Sequence, residues 1–331
     1  MKVLLCVRGD YYRNFAADSL QAIKLYKYFK SIGVEADINT GDICDFSEYD
    51  IIHLFDLNNA GEAYKYYKIA YSYKKPIVIT PNYWSMTKYY EFSSKKDELS
   101  VWKGCRPYRN EILKRAKKIL VSSEIEKKVI KRDFNIKRNL EVVYSGVAVE
   151  STDVPLYNFK DRYDLNNYVL CVGKICEIKN QLALSELCNK LNIDFVMIGS
   201  ITDKKYFKKC MEYENVKYFG FVDSYNLYNA YKFATVYVAP GFRELPGIST
   251  LEAAATGCRI IASSEGCVKE YLGEDAIYFN PYDLGSLERA MEFSKKLKKP
   301  DELSTRILEE YSWDKFGENI YSIYKEVCET V

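Results

Sequence analysis

Two glutamates, Glu244 and Glu252, lie in the part of the sequence whose residue types are best suited to chemistry. This part, residues 239–263, reads APGFRELPGISTLEAAATGCRIIAS and passes from an apolar run through a turn into a helical pattern near Ser249. A glycine-containing turn that enters a helix offers N–H groups and the positive end of the helix dipole to a phosphate. Carboxylates beside phosphates would repel them unless they point at hydroxyl groups. The pattern therefore predicts a ligand with both phosphates and sugar hydroxyls.

A second group of residues suited to binding a ligand follows another apolar run, in VGKICEIKNQ at residues 172–181. Gly173 ends the run, and Lys174 and Lys179 bracket a short loop before a helical pattern. Two ammonium groups near one strand end predict a clamp for a diphosphate, which needs cations as it leaves a reacting centre. With one histidine and no CxxC or other metal-ligand spacing among the ten cysteines, no metal site is predicted.

Both groups belong to a regular alternation of short apolar runs and amphipathic segments, which is typical of parallel sheets covered on both faces. The length of 331 residues favours two domains. A polar stretch at 150–166 predicts the linker, so we expect domains at 1–150 and 151–310, with residues 311–331 as a last amphipathic helix. The apolar runs are 3–7, 34–38, 49–55, 76–81, 117–123, 140–146, 168–173, 194–199, 216–222, 235–241, 258–263 and 276–280.

Composition excludes several classes of protein. The chain is 48% hydrophobic and 28% charged with a net charge of +2, which is typical of an ordinary globular protein. No apolar run reaches the roughly 18–20 residues that a membrane-spanning helix needs. The opening MKVLLCVRGD predicts a strand rather than a signal peptide, and cysteines without metal spacing suit reduced thiols, so a cytoplasmic protein is expected.

Basic residues are concentrated in residues 103–138, which hold 13 lysines and arginines. The simplest interpretation is a solvated helical face, and the functional alternative is peripheral contact with anionic lipid or with an acidic acceptor. The tyrosine-rich segment 64–75 has helical spacing, which predicts packed rings and solvated lysine heads. Nucleic acid is therefore not an expected partner.

The E-x7-E motif of Glu244 and Glu252, taken with VGKICEIKN, VKYFGFVDSYNLYNAYKFATVYVAPG and the closing YSWDKF, resembles the retaining GT-B glycosyltransferases of family 4. The resemblance covers roughly residues 167–327 and is specific in this combination. It implies an α/β fold of GT-B architecture, with two Rossmann-like domains facing across a cleft and the last helix returning to the first domain. It also implies a retaining, metal-independent hexosyltransferase that moves a sugar from a nucleoside-diphosphate-sugar to a glycan, lipid-linked or protein-linked hydroxyl, in glycan or polysaccharide biosynthesis and with no cofactor.

The resemblance assigns roles to residues of the second half. Glu244 would contact the donor sugar, and Glu252 would hold the ribose hydroxyls. The loop with Gly173, Lys174 and Lys179 would bind the diphosphate. The family usually has arginine at the first lysine, so Lys174 would keep the charge without the bidentate fork. Backbone groups of the following turn would contact the sugar and the diphosphate, through Pro246, Gly247, Ile248, Ser249 and Thr250.

The first half departs from the family. NFAADSLQ has Ala16 and Ala17 where family members commonly have a Gly-Gly turn, and Asp18 and Arg13 are expected on the acceptor side. Asn82 and Tyr83 stand where many members carry a histidine, with Asn82 as a catalytic candidate and Tyr83 facing the cleft. His53 is the only imidazole, and for it a catalytic role and a hydrogen-bonded structural role both stay open. Glu244 and Lys179 are the other two catalytic candidates. No strong general base is visible in the sequence, so the family's mechanism would have the leaving phosphate take the proton from the acceptor hydroxyl.

Three other functions compete with this hypothesis. A non-catalytic GT-B-like partner subunit, which binds nucleotide or stabilises another transferase, stays open because of the departures at Ala16, Ala17 and Asn82. A nucleotide-sugar epimerase needs titratable groups around the sugar carbon, which a single histidine disfavours. A glycoside hydrolase needs two carboxylates that flank a glycosidic bond. The phosphate-type turn between Glu244 and Glu252 argues against that use.

Overall fold

The computed structural model describes residues 1–149, 156–296 and 302–329. The chain forms two compact units: unit 1 comprises Met1–Gly146 and Tyr311–Val331, and unit 2 comprises Val147–Glu310. The part of the predicted linker at 150–155 lies outside the described residues.

Unit 1 is built on a parallel sheet in the order β2-β1-β3-β4-β5-β6. All five residues of β3 are buried, as expected for a strand whose two faces are both covered by other elements. The strands are β1 (Lys2–Cys6), β2 (Glu35–Asn39), β3 (Ile51–Phe55), β4 (Ile77–Thr80), β5 (Lys118–Val121) and β6 (Leu140–Val142). The helices before the end of β6 are α1 (Ala17–Ser31), α2 (Ala60–Ser72), α3 (Thr87–Phe92), α4 (Lys96–Gly104), α5 (Arg106–Arg115) and α6 (Glu124–Phe134).

Unit 2 contains a second parallel sheet, in the order β12-β11-β10-β7-β8-β9. The strand order reverses between β7 and β10, and in such sheets ligands bind beyond the carboxyl ends of the strands at that point. The strands are β7 (Tyr168–Val172), β8 (Asp194–Ile198), β9 (Val216–Tyr218), β10 (Val236–Ala239), β11 (Ile260–Ser263) and β12 (Ile277–Phe279). The helices are α7 (Phe159–Arg162), α8 (Gln181–Lys190), α9 (Lys204–Cys210), α10 (Ser224–Phe233), α11 (Ile248–Ala255), α12 (Val268–Leu272), α13 (Leu284–Ser294) and α14 (Leu303–Glu310).

Each of the apolar runs in the sequence coincides with one of these strands, and the predicted α/β fold with two Rossmann-like domains is confirmed. Between β4 and β5 the structure forms α3, α4 and α5, and α5 falls within the basic segment 103–138, for which the sequence predicts a helical face. With 6 residues, α3 gives the helical period too few repeats to be recognised in the sequence.

The start of α6 joins two strand ends of unit 1. The Ser123 Oγ accepts a hydrogen bond from the backbone N–H of Glu126 at 2.9 Å and so caps the N-terminus of α6. The buried Glu126 carboxylate accepts hydrogen bonds from the backbone N–H of Tyr83, beyond β4, and from that of Ser122, beyond β5, each at 2.7 Å. One buried carboxylate thus fixes the segments that leave both strands.

The last helix, α15 (Trp313–Glu329), packs against α1 and completes the core of unit 1. Its buried side chains include Phe316, Ile320 and Tyr324. Gly317 lies directly beneath the Tyr28 ring, and a Cβ atom at this position would stand 2.5 Å from Cδ1 and 2.7 Å from Cδ2 of that ring. The absence of a side chain at Gly317 is therefore a condition for the close approach of the two helices.

We predict that Gly317→Ala destabilises unit 1 by about 1–3 kcal/mol, because the added methyl group overpacks the α1–α15 contact. All tryptophans of the sequence, Trp84, Trp102 and Trp313, belong to unit 1, so urea unfolding followed by tryptophan emission reports this unit. The control is Gly61→Ala in α2, where a Cβ atom meets nothing within 4 Å. Equal stability of the two variants would contradict the prediction.

Candidate functional site

In unit 2, the loops that follow β7 and β10 are joined to each other. The loop after β7 contains a 3-10 turn, Glu177–Lys179, and ends at Asn180 in the left-handed conformation. The Asn180 Nδ2 donates to the carbonyl oxygen of Pro240 at 3.2 Å, and the backbone N–H of Phe242 donates to the carbonyl oxygen of Ile178 at 2.8 Å. These bonds join the two loops, residues 173–180 and 240–247, into a single rim. The strand order reverses between β7 and β10, so this rim lies at the position where ligands are expected to bind.

Lys179 and Glu244 form an ion pair on this rim, with 2.8 Å between Nζ and Oε2. The Glu244 side chain is 3% exposed and that of Lys179 is 28% exposed. The backbone of Glu244 is fixed too, since its N–H donates to the carbonyl oxygen of Glu265 at 2.9 Å and its carbonyl accepts from Cys267 at 3.1 Å. A Cβ atom at position 241 would collide with the Glu244 carboxylate, so the glycine there makes room for it. The structure thus brings together two of the predicted catalytic residues.

The predicted phosphate-binding turn leads from Glu244 into α11. It contains a cis peptide bond before Pro246, and Gly247 has φ of 78°, which favours glycine. The side chains of Pro246, Ile248 and Thr250 are buried, whereas Ser249 is partly exposed. The first N–H groups of a helix lack intrahelical acceptors, so this turn can offer backbone donors and a favourable dipole to an anion. That is the kind of contact that the sequence predicted for it.

The other predicted donor-side residues flank this rim. Gly173 has φ of 148°, and a Cβ atom at Gly199 would collide with its carbonyl oxygen, so two glycines allow the tight exit from β7. Lys174 is half-buried, and its carbonyl accepts from Gln181 Nε2 at 2.7 Å. Glu252, on α11, is half-buried and accepts from the hydroxyl of Tyr231 at 3.0 Å. Their roles toward a ligand stay predictions.

In unit 1, His53 is a core residue. It lies in the middle of β3 with no exposed surface, its ring stacks on Phe55 at 4.3 Å, and its Nδ1 is 2.5 Å from the hydroxyl of Tyr324. The Nε2 is 2.8 Å from the Oγ1 of Thr80. Burial lowers the pKa of His53 to about 3, so the imidazole is neutral at physiological pH. The prediction of a catalytic His53 is wrong, because a side chain enclosed on all sides cannot reach a substrate.

Tyr83 and Asp18 also differ from their predicted exposure to a cleft. Tyr83 is buried, its ring stacks on Trp102 at 5.9 Å, and its hydroxyl donates to Asp133 at 3.0 Å. Asp18 is buried and paired with Arg8, whose Nε lies 2.7 Å from the Asp18 Oδ2. Both expectations are corrected: the ring of Tyr83 packs in the interior, and the charge of Asp18 is used inside the unit.

Arg8, which the sequence analysis missed, organises the loop after β1. Its guanidinium donates to Asp10 Oδ1 at 2.7 Å, to the carbonyl oxygen of Asn14 at 2.6 Å and to Ser19 Oγ at 3.0 Å, besides Asp18. The available signal was a lone arginine directly after an apolar strand, with two aspartates close by in sequence. Arg13, the predicted acceptor-side residue, is exposed on this loop.

Asn82 lies in a chain of buried amides beyond β4. It is 6% exposed with φ of 44°, and its Nδ2 donates to Gln21 Oε1 at 2.8 Å. Gln21 in turn donates to Ser145 Oγ at 2.7 Å, and Asn58 donates to the carbonyl oxygen of Asn82. This network gives Asn82 a structural role, and its predicted catalytic role remains untested.

The basic segment 103–138 is divided between the interior and the surface of unit 1. Arg109 is buried and donates to the carbonyl oxygens of Leu57 and Trp102, at 3.1 and 2.8 Å. Lys118 is paired with Glu141 and Glu326. The exposed lysines and arginines include Lys114, Arg115, Lys128, Lys131, Lys137 and Arg138. Across residues 1–149, 156–296 and 302–329, no group of acidic, cysteine or histidine side chains is arranged to hold a metal ion, and no helix suits a membrane span.

Comparisons with known families and solved structures agree with the fold. A family model described as glycosyl transferases group 1 matches residues 158–310, and the model for glycosyltransferase family 4 matches residues 33–151. The two matches fall on the two halves of the chain, and the Rossmann-like sheets are those of the GT-B fold. The chain belongs to the GT-B glycosyltransferases of family 4, group 1.

Individual relatives are distant. An uncharacterized glycosyltransferase of Methanocaldococcus jannaschii is 26% identical over 239 residues, which are 64% of this chain and 60% of the length of that relative. Sucrose-phosphate synthase of Thermosynechococcus elongatus has a TM-score of 0.84 at 15% identity, covering 100% of both chains. Anabaena HepE, solved in complex with UDP and glucose, has a TM-score of 0.74 at 12% identity, covering 98% of this chain and 100% of its own. At these identities the structures show a common fold.

For His53 we predict an NMR signal that does not titrate. Because burial holds the pKa near 3, the Hε1 resonance of this only histidine should keep its chemical shift from pH 8 to pH 5. An exposed imidazole would titrate near pH 6.5. The folded pKa is below the unfolded one, so stability is full above about pH 6.5 and falls with pH towards 3, by about 1.4 kcal/mol per unit at most. A titration midpoint above pH 6 would contradict the buried position.

For the Lys179–Glu244 pair we predict that Lys179→Met destabilises unit 2 by on the order of 3 kcal/mol, because it leaves a buried carboxylate without its cation. The double variant Lys179→Met/Glu244→Gln should recover most of this loss. Unit 2 has no tryptophan, so thermal unfolding is followed by far-UV circular dichroism. The matched control is Lys190→Met, which breaks the more exposed pair with Glu288 and should cost less than about 1 kcal/mol. Equal losses in Lys179→Met and Lys190→Met would refute the argument.

Proposed function

We propose that this chain transfers a hexose from a nucleoside-diphosphate-sugar to a hydroxyl acceptor, with retention of the anomeric configuration and without a metal ion. The observation that carries the proposal is the ion pair of Lys179 and Glu244 at 2.8 Å, on the rim where the strand order of unit 2 reverses. It places a cation and a carboxylate side by side, as a ligand with phosphates and sugar hydroxyls requires. Membership of the family and the UDP and glucose bound to HepE support the donor class.

In this proposal, different residues of the rim bind different parts of the donor. Lys174, Lys179 and the N-terminus of α11 face the diphosphate, whose negative charge grows as the bond to the sugar breaks. Glu244 accepts hydrogen bonds from the sugar hydroxyls, and Glu252 accepts them from the ribose. Gly173 and the turn from Pro246 to Thr250 contribute backbone contacts, because the side chains of that turn are mostly buried.

The chemical step that we propose needs no protein base. Unit 2 contains no histidine, and the Glu244 carboxylate is already paired with a lysine. The acceptor oxygen bonds to the anomeric carbon on the face from which the diphosphate oxygen departs. The acceptor proton passes to that departing phosphate oxygen, which is the strongest base formed during the reaction. Retention follows because both bonds lie on the same face of the sugar.

The acceptor is proposed to be a glycan, lipid-linked or protein-linked hydroxyl bound by unit 1, with exposed Arg13 among its contacts. Exposed basic side chains on α5 and α6 support a proposed peripheral contact with anionic lipid, each worth about 1 kcal/mol near such a surface. All ten cysteines are free thiols, which supports the proposed cytoplasmic location.

We predict that one of UDP, GDP, ADP, CDP and TDP stabilises the protein against heat as strongly in EDTA as in Mg²⁺. At about a hundred times its dissociation constant, a ligand adds roughly 2.7 kcal/mol to stability, which gives a clear shift in Tm. Glu252→Ala should weaken this shift, because it removes the acceptor of the ribose hydroxyls. With the matching sugar nucleotide and a hydroxyl acceptor, ¹H NMR of the product should show the anomeric configuration of the donor.

The control variant is Glu288→Ala, which removes an acidic side chain of the same unit in an ion pair on α13. It should leave the nucleotide-dependent shift unchanged. A shift that requires Mg²⁺ would overturn metal independence, and an inverted product would overturn retention. If none of the five nucleotides stabilises the protein, the donor-site proposal fails and the non-catalytic partner subunit becomes the better hypothesis.

A further inference from the structure

Tyr231 is a buried residue of α10, and its hydroxyl group contacts Glu252, a predicted ligand-binding residue. Its side chain is among the largest that are fully enclosed in the protein, and the ring packs against Tyr237 at 5.8 Å and 58°. The hydroxyl donates to the Oε2 of Glu252 at 3.0 Å. Because the ring is enclosed in the interior, the hydrogen bond to Glu252 is the polar contact through which Tyr231 can affect a ligand.

The hydroxyl group is not required for packing. A phenylalanine would fill the same volume, and a buried hydroxyl is costly unless it is hydrogen-bonded. Here the bond is to a carboxylate, which makes it stronger than one between neutral groups. Burial and the neighbouring Glu252 raise the pKa of Tyr231 well above its ordinary value, so the phenol stays a neutral donor.

A donor on one carboxylate oxygen determines where the other oxygen points. The terminal torsion of a glutamate is soft and roughly two-fold, so a free carboxylate samples a broad range of orientations. The bond to Oε2 removes this freedom and holds the plane of the Glu252 carboxylate in one orientation. Recognition of two adjacent hydroxyls depends on that orientation, because hydrogen bonds weaken steeply as their angles depart from linear.

We propose that Tyr231 is a positioning residue that orients the Glu252 carboxylate toward the ribose hydroxyls of the nucleotide and thereby sets the preference for ribonucleotides over deoxyribonucleotides. The inference rests on the proposed function, since it takes Glu252 as the ribose-binding residue. In this inference, Tyr231 does not contact the nucleotide, yet it contributes measurably to the selectivity for ribonucleotides.

The test measures dissociation constants by isothermal titration calorimetry for UDP, GDP, ADP and CDP, each beside its 2′-deoxy form. For the nucleotide that binds the wild-type protein, Tyr231→Phe should weaken the ribo form about tenfold and change the deoxy form little. The ratio of the two constants therefore falls. In the Glu252→Ala background, Tyr231→Phe should change the ratio no further, as expected for residues that act through one contact.

The matched control is Tyr168→Phe, which removes the hydroxyl of another buried tyrosine of unit 2, bonded to the carbonyl oxygen of Ala230 at 2.5 Å. This variant should keep the wild-type ratio even if its Tm falls. An unchanged ratio in Tyr231→Phe, or an equal loss for both nucleotide forms, would overturn the inference while leaving the donor site intact. If the wild-type protein binds TDP alone, the inference fails while the proposed function stands. If it binds none of the five nucleotides, both fail.

Discussion

A carboxylate with 3% of its surface exposed needs partners that compensate its burial, and for Glu244 of unit 2 that partner is the ammonium group of Lys179. The pairing explains the local chain path on both sides. The loop after β7 must curl into a short 3-10 turn to deliver the lysine, and the loop after β10 must pass a glycine at 241 to admit the carboxylate. The backbone bonds from Asn180 and Phe242 then hold the two loops at the distance that the pair requires. The path of both loops is therefore consistent with the need to bring Lys179 and Glu244 together.

The same rim shows what a parallel sheet does for a binding site. Its strands are buried on both faces and can offer nothing to a ligand along their length, so polar groups collect where the strands end. In unit 2 some of these end groups are half-buried, as with Lys174 and Glu252. In unit 1 the corresponding groups are consumed by internal contacts, such as Asp18 with Arg8 and Asn82 with Gln21. Two sheets of one fold thus differ in how much polar surface they leave available.

The sequence predicted the strands well because each is a short continuous apolar run. The residue types after β7 and β10 singled out the two loops that the structure joins to each other. The sequence could not predict which side chains contact one another. The alternation that separates an inward from an outward side chain is lost when both faces of a strand are covered, so His53 in β3 gave no sign of its complete enclosure. Nor could it show that Arg8 would neutralise Asp18, because that choice depends on how the loop after β1 folds back.

Unit 1 is discontinuous in the sequence, since α15 returns to it after the whole of unit 2 has been traversed. A chain emerging from the ribosome can therefore complete unit 2 while unit 1 still lacks a wall of its core. A chain cut before α15 would retain all of unit 2 and would expose Phe29 and the rest of the face that α15 covers. The core around β1 and α1 therefore depends on a helix that follows it in the sequence by about 280 residues or more.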